Sequence, residues 1–219
     1  MQLPDDAAGT STPRDTPLHD DRSGHYFATS PTAASAPASV RLELPEGTFR
    51  LATDRGVFSA DRIDPGTRIL LRDGPAPAPE GTLVDLGCGC GPIAVTLAMR
   101  SPNAQVVAVD VNERALALCA ANAASLGLGN VSVSTPAEIS DDLVVDELWS
   151  NPPIRIGKTA LHQLLDEWLA RIAPHGRAIL VVQRHLGADS LQAWLVETGR
   201  PTQRLASRKG YRLLEVRPG

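Results

Sequence analysis

The stretch Asp85-Leu86-Gly87-Cys88-Gly89-Cys90-Gly91 limits the fold of this 219-residue chain more than any other. An apolar run, Thr82 to Leu86, enters it, and a helix-patterned run, Pro92 to Arg100 with proline in its first turn, leaves it. Glycines at alternate positions let the backbone turn sharply and approach a neighbour with no Cβ in between. A strand that stops in such a turn and reopens as a helix begins a β-α-β unit, and the pattern continues downstream. Strands are expected at Val106 to Asp110, Val131 to Thr135, Val144 to Trp149 and Ala178 to Gln183. Helices are expected at Glu113 to Leu126, closing near Gly127, at Thr159 to Ile172 and at Ser190 to Glu197. The end, Arg204 to Ser207 and Tyr211 to Val216 across Arg208-Lys209-Gly210, reads as an antiparallel pair. Strands alternating with helices imply an α/β fold with a parallel sheet covered on both faces. Its ligand crevice should lie beyond the carboxyl ends of the strands.

Upstream the pattern differs. Residues 1–24 are rich in Asp, Ser, Thr, Pro and Gly without periodicity, the composition of a disordered tail. Residues 25–75 are expected to form a small β extension. Val40 to Leu44 and Thr48 to Ala52 alternate apolar and polar residues around the turn Pro45-Glu46-Gly47, and a further short strand is expected around Arg68 to Leu71. Gly74-Pro75-Ala76-Pro77-Ala78-Pro79-Glu80-Gly81 has the composition of a stiff, extended linker, so the main domain is expected over residues 76–219.

Hydrophobic residues make up 42% and charged residues 21%, and no run approaches the roughly 18 apolar residues of a membrane span, so a soluble, cytoplasmic protein without a secretory signal is expected. Cys88, Cys90 and Cys119 are an odd number and complete no metal-ligand spacing, so no metal is expected. They read as small residues of a tight loop and a buried helix residue. The net charge of −4 conceals an asymmetry: residues 155–219 hold 11 basic against 5 acidic residues, and the first 154 hold 10 against 20. An anionic partner would meet its favourable field in the last third of the chain.

The glycine loop misses the strict dinucleotide fingerprint, because Pro92 stands three residues after Gly89. Gly157-Lys158-Thr159 is no phosphate-binding loop, because the position five before Gly157 is Pro152. The D-x-G-x-G-x-G form resembles the first motif of class I methyltransferases, in which the loop packs against the methionine part of the cofactor. Asp110 ends the second strand of this unit, 19 residues after Gly91, where a carboxylate can accept hydrogen bonds from ribose hydroxyls. The fourth strand runs into Asn151-Pro152-Pro153-Ile154, which resembles the Asn-Pro-Pro-aromatic motif of methyltransferases acting on planar amino groups. Such a nitrogen is a poor nucleophile, because its lone pair is delocalised. Two fixed acceptors, the Asn151 side-chain oxygen and the Pro152 carbonyl, could bind its N–H groups and localise the pair, with proline rings holding both still. Ile154 departs from the motif's aromatic, which would stack on the base. Tyr26, Phe27, Phe58 and Tyr211 are candidate replacement rings.

These stretches, together with His25-Tyr26-Phe27, Gly56-Val57-Phe58-Ser59, Ile63-Asp64-Pro65-Gly66-Thr67 and Lys209-Gly210-Tyr211-Arg212, resemble the ribosomal RNA small-subunit methyltransferase C family, the "methyltransferase small" group that methylates guanine N2. The resemblance covers roughly residues 25 to 217. It implies a Rossmann-like class I methyltransferase with a seven-stranded, mostly parallel sheet, an antiparallel C-terminal strand pair and a small N-terminal β-hairpin extension. It implies S-adenosylmethionine held by Asp85, Gly87, Gly89, Gly91 and Asp110, with Asn112 beside the adenine. Asn151, Pro152, Pro153 and Ile154 would be the catalytic loop, and Arg155, Lys158, Lys209 and Arg212 would meet the phosphates of RNA, the acceptor of the methyl group that the resemblance implies. Bacterial members often carry a degenerate second copy of the domain, and no internal repeat is seen here. Two other readings stand beside RNA methylation: methylation of a glutamine amide in a protein, whose family usually shows tyrosine after Asn-Pro-Pro, and a cofactor-binding, RNA-associated protein with little catalysis.

Overall fold

The computed structural model describes residues 33–219; the expected tail, Tyr26 and Phe27 lie outside the described residues. The first elements are the antiparallel hairpin β1 (Ala38–Leu44) and β2 (Gly47–Thr53), paired from Ala38↔Thr53 to Leu44↔Gly47. Next comes a helix, α1 (Pro65–Asp73), where the short strand at Arg68 to Leu71 is expected. The three apolar residues Ile69-Leu70-Leu71 carry no period by themselves. What decides the matter is the start signal: Asp64 caps the helix by accepting from Gly66 N and Thr67 N, and Pro65 occupies the first turn. The segment then buries Gly66, Thr67, Ile69, Leu70 and Leu71 on one side.

Beyond the proline-rich stretch follow β3 (Glu80–Leu86), α2 (Pro92–Arg100), β4 (Asn103–Val109), α3 (Glu113–Ser125), β5 (Val131–Ser134), β6 (Val145–Ser150), α4 (Lys158–Leu169), β7 (Ile172–Gln183), α5 (Ala188–Glu197), β8 (Thr202–Arg208) and β9 (Tyr211–Val216). The seven strands from β3 to β9 form one sheet in the order β5-β4-β3-β6-β7-β9-β8. The first five are parallel, and β9 runs antiparallel to both β7 and β8. The expected architecture is therefore the observed one, with a Rossmann-like sheet and an N-terminal hairpin.

Strand alternation sends side chains to two cores. Leu83 joins Leu70, Leu97, Ala115 and Cys119 on the face covered by α1, α2 and α3, while Val84 and Leu86 join Leu165, Trp168 and Leu191 on the face covered by α4 and α5. Helix α1 packs against β7, β9 and α2, so the linker composition of residues 74–81 does not hold it away from the sheet. The hairpin is tied to the same face. Buried Asn122 of α3 accepts from Ala52 N (2.7 Å) and donates to Ala52 O (2.9 Å) and Cys90 O (2.8 Å), serving one residue of β2 as a neighbouring strand would and gripping the glycine loop.

Order matters more than layers for function. Strand β4 lies on one side of β3 and β6 on the other, so successive connections leave in opposite directions and a crevice opens between the carboxyl ends of β3 and β6. Register Asp85↔Trp149 brings both ends level, and Ser150 Oγ donates to Leu86 O at 2.7 Å.

Two buried groups beneath the loop give measurable consequences. Gly91 has φ +89°, and a Cβ there would meet Cys119 Sγ at 2.5 Å. Gly91→Ala should lower stability by at least about 1–3 kcal/mol through overpacking, and Cys119→Ala in the same chain should recover part of the loss; equal denaturation midpoints for Gly91→Ala and the wild type would exclude the contact. Asp85 is fully buried: burial pushes its carboxyl up to about 8, the N–H of Ala94 opposes the rise, and the Asp110 charge adds to it. The unfolded chain loses this proton near the ordinary value of 3.8. The native state thus binds the extra proton between these limits, and stability falls as pH rises through that window, at up to about 1.4 kcal/mol per pH unit. Asp85→Asn, which keeps an acceptor for Ala94 N, should flatten this slope in denaturation series at pH 5, 6.5 and 8.

Candidate functional site

The glycine loop is shaped by bonds from its neighbours. Gly87 N and Cys88 N both donate to Val109 O, at 2.8 and 3.0 Å, which turns the chain from β3 toward the end of β4. Gly89 N donates to Asp110 Oδ2 at 2.9 Å, and Gly91 N closes the turn on Cys88 O. Gly87, Gly89 and Gly91 all have positive φ, at 78°, 54° and 89°. Their reasons differ. A Cβ on Gly87 would meet nothing within 4 Å, and one on Gly89 only the Phe58 carbonyl at 4.0 Å, so these two glycines leave room on the open side of the loop. Gly91 instead lets α2 and α3 approach, and it does not line the cleft.

Asp110 receives backbone N–H groups on both oxygens, from Gly89 on Oδ2 and from Asn112 on Oδ1, each at 2.9 Å. Burial raises its carboxyl above the usual range, and the backbone donors Asn112, Gly89 and Val111 oppose the rise. The carboxylate keeps acceptor capacity for a further donor. Asn112 is buried, and its side chain has structural work: Oδ1 caps α3 by accepting from Arg114 N and Ala115 N, and Nδ2 donates to Gly56 O at 2.8 Å. Asp85 Oδ2 accepts from Ala94 N at 2.9 Å, and its Oδ1 is buried without a hydrogen-bond partner among the described residues.

One cleft joins this loop to Asn151. Its walls include Gly87, Cys88, Gly89 and Cys90 from the loop, Pro92 and Ile93 from α2, Asn151 after β6, and Phe58, Ser59, Arg62, Ile63, Asp64 and Thr67 from the N-terminal segment. Of the last group only Phe58 has an expected role; the Asp64-Pro65 helix start is legible in the sequence, but that α1 begins beside Asn151 is not. Asn151 Nδ2 donates to Asp64 Oδ1 at 2.8 Å and to Thr67 Oγ1 at 3.1 Å. The Pro152 carbonyl accepts from Ile154 N at 2.8 Å, Pro153 N-caps a single 3-10 turn over Ile154–Ile156, and Ile154 packs against the core on the α4 side.

The basic residues divide. Arg155 and Lys158 are exposed just after this turn, and Lys209 is exposed in the β8–β9 turn, at the same sheet edge because Tyr211 pairs with Gln183 at the end of β7. Arg212 is half-buried and donates to Asp189 at 3.3 Å, a partner it shares with Arg204. Of the candidate rings, Phe58 is exposed and lines the cleft; Tyr211 is half-buried beside Gly66, whose Cβ would touch it at 2.9 Å. Cys88, Cys90 and Cys119 are free and buried; the hydrogen bond with Cys119, with burial, pushes the Cys88 thiol well above its ordinary range, and burial pushes the Cys90 thiol up to about 11. Among the described residues no helix is long and apolar enough to cross a membrane.

The open side of the loop at Gly87 and Gly89, with the acceptor oxygens of the Asp110 carboxylate beside it, has the chemistry that a ligand carrying hydroxyl groups, such as S-adenosylmethionine, requires. Comparison with known proteins points the same way. Residues 48–215 match the Methyltransferase small domain. An uncharacterized protein of Bacillus subtilis (strain 168), YbxB, is 30% identical over 89% of this chain and 98% of its own. Ribosomal RNA small subunit methyltransferase C of Shewanella amazonensis is 31% identical over 73% of this chain and 47% of its own, so this chain spans about half the length of the relatives bearing that name. A T. thermophilus 16S rRNA N2 methyltransferase, solved in complex with AdoMet and guanosine, superposes with a TM-score of 0.69 at 23% identity, over 86% of this chain and 52% of that one, which shows a common fold. With the glycine loop and the Asn-Pro-Pro turn inside the matched span, and nearly full-length similarity to the Bacillus protein, the chain belongs to the Methyltransferase small domain family.

Proposed function

We propose that this protein transfers a methyl group from S-adenosylmethionine to the exocyclic amino group of a base in RNA, with guanine N2 of ribosomal RNA as the acceptor. The observation that carries the reading is that the Asn151 carboxamide and the open side of the glycine loop line one cleft. When bound, S-adenosylmethionine supplies a sulfonium methyl as the electrophile. The chain's own residues then bind, orient and exclude water. Gly87 and Gly89 admit the ligand against the backbone, and Asp110, held by two N–H groups, has lone pairs left for ribose hydroxyls.

Asn151 Oδ1 and the second lone pair of the Pro152 carbonyl would accept the two N–H bonds of the base. Two acceptors on one amino nitrogen draw its lone pair out of conjugation, and their fixed positions remove reorganisation from the barrier. A base must leave its stack to reach such a cleft, which suits an unpaired nucleotide. Exposed Arg155, Lys158 and Lys209 stand at the same edge and would neutralise phosphates. Arg212, already held by Asp189, would support that surface indirectly. Guanine N2 is favoured by the relatives named for small-subunit ribosomal RNA methylation and by the N2 methyltransferase that shares the fold.

Incubation with labelled S-adenosylmethionine and either deproteinised ribosomal RNA, small-subunit particles or cell protein should place the label in RNA, and mass spectrometry of the digested nucleosides should find it on guanine N2. Asn151→Ala should lower turnover by about 100- to 1,000-fold without changing cofactor affinity. Label in protein but never in RNA would reject the proposal. Asp110→Ala should weaken S-adenosylmethionine binding by roughly 10- to 100-fold, the worth of charge-assisted hydrogen bonds, in calorimetry on a variant whose circular dichroism matches the wild type; unchanged affinity would remove the ribose role.

A further inference from the structure

The turn that carries Asn151 is gripped from outside the Rossmann-like sheet. Asn151 Nδ2 has two hydrogens, and the structure gives each an acceptor: Asp64 Oδ1 at 2.8 Å and Thr67 Oγ1 at 3.1 Å. Both acceptors belong to the start of α1, more than 80 residues earlier in the chain. The same Asp64 oxygen accepts from Gly66 N at 2.7 Å and Thr67 N at 3.3 Å, so the helix cap and the grip on Asn151 are one atom. Thr67 is buried, which fixes its hydroxyl in place.

A carboxamide can present either its oxygen or its nitrogen, and the two ends are nearly the same size. A carboxylate oxygen that already accepts two backbone N–H groups cannot donate, so it selects the nitrogen end of Asn151. The oxygen end is then the one left for an incoming amino group. Without the grip the side chain could rotate and offer its own N–H groups to that amine, which would repel rather than bind it. We infer that Asp64 and Thr67 are positioning residues that orient the Asn151 carboxamide, so that the N-terminal helix start sets the acceptor geometry of the reaction. The inference rests on the proposed role of Asn151 as acceptor for the target amine.

Three variants and two measurements test it. Asp64→Ser keeps a capping oxygen for α1 but is too short to reach Asn151; Thr67→Val removes the hydroxyl at constant shape; Thr67→Ser restores it. With small-subunit ribosomal RNA as acceptor, Asp64→Ser and Thr67→Val should lower kcat by about 10- to 100-fold, the scale of a misplaced catalytic group. The KM for RNA and the Kd for S-adenosylmethionine should stay within about twofold of the wild type, a margin much smaller than the kcat effect. Thr67→Ser should recover most of the turnover. Independently of any acceptor, the Asn151 side-chain amide protons, followed by NMR, should exchange with solvent slowly in the wild type and faster in Asp64→Ser and Thr67→Val. Wild-type protons that exchange as a free amide's would overturn the inference, as would folded Asp64→Ser and Thr67→Val proteins with unchanged kcat while Asn151→Ala is inactive; the latter leaves the proposed function standing. An Asn151→Ala protein with full methyl transfer would overturn both.

Discussion

The site depends on one constraint, the pairing of β3 with β6 in parallel and in level register. Each strand ends in a turn that the other could not make: alternating glycines after Leu86, consecutive prolines after Asn151. Parallel neighbours point their carboxyl ends the same way, so the two turns meet at one edge, and the hydrogen bond from Ser150 to Leu86 O joins them one residue beyond the last pair, Asp85↔Trp149. Had β6 entered beside β5 instead, the same motifs would lie at one edge but three strands apart.

Polar side chains, Asn122 and Asn112 buried and Asp64 half-buried, then convert this edge into a cleft. Asn122 gives both side-chain amide hydrogens and its side-chain oxygen to Ala52 and Cys90, fixing the hairpin to α3 and to the loop at once. Asn112 caps α3 and holds Gly56, the residue two before Phe58 on the cleft wall. Asp64 caps α1 and holds Asn151. Asn112 and Asp64 each satisfy backbone groups of their own helix and a group of a distant segment, and Asn122 joins two distant segments to α3. Leaving any of these donors or acceptors unpaired in the interior would cost more than the net worth of the bond, so the arrangement is specified as well as stabilised. The N-terminal segment is therefore a wall of the cleft, although its composition reads as an appendage.

Much of this was legible in the residues because it is local. Pro92 to Arg100 and Tyr211 to Val216 read as a helix and a strand from their own period and punctuation, and both form with those bounds. The hairpin around Glu46-Gly47 was legible from strict alternation. Arg68 to Leu71 departs from the expected strand because three adjacent apolar residues fit either period, and the start signal at Asp64-Pro65 decides for a helix. The three glycines look equivalent in sequence, yet two face open space and one faces Cys119, a distinction that needs the packing of α3. Asn112, two residues past Asp110, looks like a ligand by proximity and is occupied as a helix cap.

By itself the sequence determined the alternation of strands and helices, the sharp turn after Leu86, the stiff turn after Asn151 and the acid that ends β4, since each follows from backbone preferences within a few residues. Only the tertiary structure decided that the start of α1 and the segment before it wall the crevice, that Gly87 and Gly89 face open space while Gly91 faces Cys119, and that Asp64 and Thr67 hold the nitrogen end of the Asn151 carboxamide. Those outcomes depend on contacts between residues up to 87 positions apart, and such contacts are set by the order of strands in the sheet and by the pairing of buried polar groups, neither of which leaves a periodic trace in the chain.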